Sequence, residues 1–202
     1  MSEIQDTYKT IIKPSEGFYK EKGSKFIAHA YPVNSEDEIK EHLDDLRKKY
    51  YDARHHCYAY ALGVSGENFR ANDDGEPNHS AGDPILGQIR SFELSGILIV
   101  VVRYFGGTKL GVGGLIHAYK TAAQDALDNS EIIEKTLTER VGLQCEYPML
   151  NDAMRFFKDR NLDIVHQELL IDCKLWADVP LSEKNEVIDA INNYHGLNLL
   201  KN

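Results

Sequence analysis

Two units of mixed strand and helix, in the α/β (α+β) class, are predicted from three observations. Stretches with strand spacing alternate with amphipathic helical stretches up to about residue 127. The polar run Asp128-Asn129-Ser130-Glu131 then interrupts the alternation, and beyond it the order strand, helix, strand, strand, helix, strand begins afresh. Finally, 202 residues at 42% hydrophobic and 27% charged are enough for two cores and match the composition of ordinary globular chains. The expected domains are residues 1–133 and 134–202.

The first elements read as strands: Thr7 to Ile12, Gly17 to Lys20, and Lys25 to Val33 after a turn at Gly23. A helix opens at Ser35 with Glu38 three residues on, the spacing at which the hydroxyl and the carboxylate satisfy free N–H groups reciprocally. Ile39, Leu43, Leu46 and Tyr50 fall on one face of it. His55 to Leu62 alternates Cys57, Ala59 and Ala61 with His56, Tyr58 and Tyr60, as a strand does. Asn72 to Asp83 is a polar loop of turn formers, ending where Asp83 as N-cap and Pro84 at the first helical position begin a helix that buries Ile85, Leu86, Ile89 and Phe92. Ile97 to Tyr104 has no polar residue before Arg103, the mark of a strand covered on both faces. Five glycines between Gly106 and Gly114 lead into a helix with Leu115, Ala118, Tyr119, Ala122 and Ala126 on one side. The later part, strands and helices from Leu137 to Leu200 in the order βαββαβ, fits a ferredoxin-like domain.

Charge and cysteine usage exclude several function classes. The net charge is -9, and the acid excess is shared by both parts, so neither has the global basic excess of a dedicated nucleic-acid binder, which leaves room only for a local basic patch. The longest aliphatic run, Ile97 to Val102, is far short of the roughly 20 residues of a membrane-crossing helix. Residues 1–6 read as neither signal nor transit peptide, so a cytoplasmic location is expected. Cys57, Cys145 and Cys173 are odd in number and widely spaced, which argues for reduced structural thiols and against a CxxC site.

Two constellations carry candidate chemistry. Backbone amides at a helix start attract anions, and glycines let a phosphate approach the main chain, so Gly106, Gly107, Gly111, Gly113 and Gly114, with Arg54, Arg103 and Lys109 as full charges, form a candidate anion or nucleic-acid site. The alternative is that the glycines provide only turns and close packing. The segment fits neither GxxxxGK[ST], since Val112 stands where Lys is needed, nor GxGxxG, since Ile116 replaces the last Gly. The second constellation is His55, His56, Asp73, Asp74 and Glu76, the residue types of acid-base work or of a hard-cation site. An EF-hand is ruled out by Arg70 and Ala81 at the first and twelfth ligand positions, and a solvated turn whose acids cap the backbone is the simpler reading. No cofactor or metal is called for. Lys20, Lys22 and Lys25 add a small basic cluster on a hairpin.

The runs Arg54-His-His-Cys-Tyr-Ala-Tyr60, Asp73-Asp-Gly-Glu-Pro77, Ser80-Ala-Gly-Asp-Pro-Ile-Leu86 and Val101 to Leu115, followed by Ala118-Tyr119, resemble the YigZ/IMPACT family. The resemblance implies a first domain like those of ribosomal-protein and GHMP-kinase folds, and a second similar to ferredoxin-like modules of elongation factor G. It also implies a translation-linked binding role with RNA, the ribosome or a protein as partner; that no membrane is expected follows from the short aliphatic run alone. The chain departs from the family pattern at Asp83, where Lys is expected, and at His79-Ser80, where Gly-Thr is expected, which removes a positive charge from that turn. The competing class is a hydrolase or transferase working through the His and carboxylate cluster. A binder needs Arg54, Arg103 and Lys109 on one exposed face; an enzyme needs His and carboxylate within hydrogen-bond reach in a concave pocket.

Overall fold

A computed structural model of the chain describes residues 6–200. They form two compact units, one spanning Tyr8–Lys135 and the other running on from Thr136 and including Asp6 and Thr7.

The first unit contains, in chain order, β1 (Thr7–Ile11), β2 (Ser15–Glu21), β3 (Ser24–Pro32), α1 (Glu36–Lys49), β4 (His55–Leu62), β5 (Asn68–Asn72), α2 (Gly82–Ser91), β6 (Ile97–Tyr104), α3 (Gly111–Asp128) and β7 (Ile132–Thr136). Five strands make one sheet in the order β2-β3-β6-β4-β5, and β1 and β7 pair as a separate ribbon. Every pairing in the five-stranded sheet is antiparallel, so the unit is of the α+β kind. Strand β6 is central and buried from Ile97 to Val102, as its unbroken apolar run predicts. Its alternate residues serve two cores. Ile97, Ile99 and Val101, together with Cys57, Ala59 and Ala61 of β4, pack under α2 and α3. Leu98 and Val100, with Tyr58, Tyr60 and Leu62, pack against Ile39, Leu43 and Leu46 of α1. The alternation read in β4 is therefore the division between the two faces.

Helix α1 starts as its sequence predicts, with the Ser35 hydroxyl accepting from Glu38 N–H at 3.3 Å, and Glu38 reaching back to Asn34 N–H at 2.8 Å. Helix α2 starts differently. Ala81, not Asp83, is the N-cap, and Asp83 lies in the first turn, 2.6 Å from the His79 ring. The cap is supplied from a distance in sequence: one oxygen of Asp73 accepts from both Ala81 N–H (2.9 Å) and Gly82 N–H (2.8 Å). Strands β5 and β7 are not foreseen by periodicity, because β5 (Asn-Phe-Arg-Ala-Asn) is a polar edge strand and β7 adjoins the polar run taken as a boundary.

The second unit contains β8 (Thr138–Glu146), α4 (Leu150–Lys158), β9 (Ile164–Leu169), β10 (Asp172–Pro180), α5 (Lys184–Asn193) and β11 (Leu197–Leu199). The strand order β11-β8-β10-β9, all antiparallel, is the ferredoxin-like arrangement expected from the βαββαβ pattern. Leu143, Phe157, Leu175 and Ile191 lie at the centre of its core. Cys145 and Cys173, distant in sequence, stand opposite each other across β8 and β10 as free buried thiols. Asp6 accepts from the Ser182 hydroxyl (2.6 Å) and N–H (3.0 Å), and these bonds hold its carboxyl below the usual aspartate value. Among the described residues no helix is long and apolar enough to cross a membrane.

Candidate functional site

The site lies in the first unit, where the apolar run of β6 ends at Arg103. Sheet register places Arg103 opposite Phe26 of β3 and His55 of β4, in a row on the face covered by α2 and α3. The side chain is buried, and its charge is met by Glu76, whose carboxylate accepts from Arg103 Nη1. Glu76 Oε1 also accepts from the Tyr119 hydroxyl at 2.9 Å and lies 4.0 Å from His55 Nε2. The Arg103 guanidinium sits between two aromatic rings, 5.4 Å from the centroid of Phe26 and 5.7 Å from that of Phe105. Such contacts favour a cation held away from water. Its Nε is buried and has no hydrogen-bond partner among the described residues.

In front of this pair is a cavity of about 460 Å³. Arg54 and Lys109, both exposed, line it with His55, the Glu76–Arg103 pair and the apolar side chains of Pro77, Phe105, Leu110, Val112 and Leu115. The Asn72 to Asp83 loop and the Gly106 to Gly114 loop thus contribute to the same wall. Helix α3 opens onto the cavity at Gly111, and its first turn has neither a side-chain cap nor an acidic residue. The positive end of the helix dipole is therefore left without a neutralising partner from its own sequence.

The glycines of this loop have separate reasons. A Cβ on Gly106 would lie 1.9 Å from the carbonyl carbon of Gly23, so that glycine is imposed by close approach to the β2–β3 hairpin. Gly107 and Gly111 have φ of +87° and +72°, a left-handed conformation that glycine adopts without strain. A Cβ on Gly114 would lie 3.0 Å from Leu110 Cβ, so glycine spares a tight contact there. Gly113 has none of these reasons: its φ is outside the left-handed region, and an added Cβ would meet nothing within 4 Å.

The His and carboxylate cluster is only partly assembled. His55 and Glu76 line the cavity. His56 lies on the opposite face of the sheet, buried, where loss of hydration holds its pKa below the ordinary histidine value. Asp74 accepts from His56 N–H at 2.6 Å, and its carbonyl oxygen is 2.8 Å from His55 Nδ1. A carbonyl only accepts, so Nδ1 carries the proton and Nε2 is the nitrogen turned toward Glu76. Asp73 holds α2; burial pushes its carboxyl up, but bonds from Gly82, His79 and Ala81 N–H outweigh this and keep it below the ordinary aspartate value. With each carboxylate engaged in this way, no group of three or more His, Cys, Asp or Glu is placed to hold a metal ion among the described residues. Cys57 lies 3.0 Å from the Asp73 carbonyl oxygen and 3.3 Å from the Tyr119 hydroxyl, and burial raises its thiol far above the usual range, as it does the Tyr119 phenol.

Lys20, Lys22 and Lys25 lie on or beside the β2–β3 turn and do not line the cavity. Sequence reasoning missed Tyr119 and Phe105 as parts of this site. Periodicity marks Tyr119 only as a buried helix position, and its polar tip in an otherwise Ala-rich face is the available signal.

The Impact N-terminal domain family model matches residues 22–127. The IMPACT family member YvyE of Bacillus subtilis (strain 168) is 35% identical over 144 residues, covering 71% of this chain and 66% of its own. The IMPACT family member YigZ of Escherichia coli (strain K12) is 37% identical over 131 residues, covering 64% of each. This chain therefore spans just under two thirds of the length of those two relatives. An IMPACT family member from the pol 5′ region of Thermus thermophilus is 44% identical over 140 residues, 69% of this chain and 75% of its own. In three dimensions a crystal structure of a hypothetical protein superimposes with a TM-score of 0.71, at 28% identity and 98% coverage of both chains.

Proposed function

We propose, from the premise that this chain belongs to the IMPACT family, that it is a translation-linked binding protein whose first unit takes phosphate groups of RNA, free or on the ribosome, at the cavity beside α3. The observation that carries this reading is the convergence on one cavity of two exposed cations, Arg54 and Lys109, with the uncapped first turn of an 18-residue helix. Fixed N–H dipoles and mobile positive charges together favour an anion there. Arg103 has a different part from the one its sequence position suggests. Paired with Glu76, it adds little net charge and instead fixes the wall against which the anion would sit.

Hydrolase or transferase chemistry is less well supported. Of the five candidates only His55 and Glu76 face the cavity, 4.0 Å apart, and Glu76 is already engaged by Arg103 and Tyr119.

The test is RNA binding by the full chain across a salt series. Arg54→Ala/Lys109→Ala should weaken binding about tenfold, nearly equally for unrelated sequences, and reduce the salt slope by about 2. Both side chains are exposed, so the variant should retain the stability of the parent. Unchanged binding in the variant, or binding indifferent to salt, would refute the reading.

A further inference from the structure

The cavity is unlike a groove that follows a nucleic-acid backbone. Such a groove presents a row of cations, whereas this one offers two, in a chain of net charge -9. Apolar groups make up much of its wall, and Phe105 and Val112 are each 52% exposed beside it. Its volume of about 460 Å³ lies at the lower end of ordinary small-ligand sites, enough for one nucleotide and too small for a tract. Three further features fix where a charged head and a flat body would go. Among the described residues Arg103 Nε is a buried donor without a partner, in a side chain that lines the cavity, a group that calls for an explanation in any folded protein. Gly111 lines the cavity at the start of α3 and leaves the main chain of that turn bare. Phe105 has the Arg103 guanidinium 5.7 Å from its ring centroid and remains half exposed, so ring surface is left over for stacking.

Building on the anion-binding reading above, we infer that the cavity takes a single nucleotide carrying a phosphomonoester, its phosphate on the α3 first turn between Arg54 and Lys109 and its base against Phe105. A phosphomonoester carries up to two negative charges, against one for the diester inside a strand, and two cations plus a helix end discriminate in its favour. The same chemistry has two sources, the phosphorylated end of an RNA and a free nucleoside monophosphate.

The experiment uses the full chain and one short RNA sequence in four forms: 5′-phosphorylated, 3′-phosphorylated, unphosphorylated and circular, with AMP as competitor. At least one phosphorylated end should bind about tenfold more tightly than the circle, AMP should displace it, and Phe105→Ala should weaken both the phosphorylated end and AMP several-fold while leaving the phosphorylated end tighter than the circle. Lowering the pH below about 6, where the second phosphate proton returns, should narrow the difference between monoester and circle. Equal binding of all four forms, undisplaced by AMP, overturns the inference while leaving the phosphate-binding function intact. Binding of AMP without any RNA supports the nucleotide site and rejects the RNA-binding role. Absence of binding by every probe rejects both.

Discussion

Glu76 and Arg103 show how a residue's surroundings change its meaning. In the sequence Arg103 is a cation at the end of an apolar strand and Glu76 one of several acids in a polar loop, and nothing in the spacing of 27 residues pairs them. Their side chains are only 5% and 7% exposed, so each charge has the other as its counter-ion away from water. Removing one partner from a buried ion pair commonly costs ~3 to 5 kcal/mol, whereas replacing both by apolar groups costs far less. Glu76→Leu and Arg103→Met should therefore each lower stability in urea denaturation by several kcal/mol, and the double variant should be more stable than either single one. Additive losses would show that the pair is not coupled. The same burial makes Arg103→Ala a poor probe of ligand binding, because lost structure would imitate lost affinity. Burial of this kind is the part of the site hidden from sequence, while Arg54, Lys109 and the glycines, being exposed, were legible from their chemistry alone.

Among the elements, the two helices that flank the site start in opposite ways. Helix α2 borrows the Asp73 carboxylate for its first turn, and α3 has no side-chain cap. Periodicity identified both helices and the faces they bury, since those depend on apolar spacing. The residue types Asp83 and Pro84 point to the wrong N-cap for α2, because a cap supplied from eight residues upstream leaves no local signature. The polar edge strand β5 was missed for a related reason, as its pairing with β4 and not its own pattern makes it a strand. Helix α3 also carries a glycine outside the cavity wall. Ala is favoured over Gly in a helix by about 0.5 to 1 kcal/mol, and at Gly113 nothing obstructs the methyl group. Gly113 is not among the residues lining the cavity, so Gly113→Ala should raise thermal stability slightly and leave RNA or AMP binding unchanged. Weakened binding in this variant would mean that the ligand reaches the helix beyond the cavity wall.

At the scale of the whole molecule, the restart of the strand and helix pattern was legible, and so was the βαββαβ order of the second part. The ribbon of β1 and β7 was not, because two short strands more than a hundred residues apart carry no sign of each other. We propose that the two parts fold independently. Limited proteolysis should cut first near Asn129 to Lys135, and the two pieces expressed separately should each unfold cooperatively. Preferred cleavage within β8, or a piece without a cooperative transition, would place the boundary elsewhere. The ribbon also bears on the order of events in folding. Ile12 N–H bonds the Glu131 carbonyl at 3.0 Å, so the chain enters and leaves the first unit along adjoining strands, roughly 4.8 Å apart. Once that unit has folded, Asp6 and Leu137 meet as if joined by a tight turn, and their 2.7 Å bond no longer requires closing a loop the length of the unit. The first unit thereby sets the effective concentration at which the opening segment finds Ser182, turning a search across most of the chain into a local encounter.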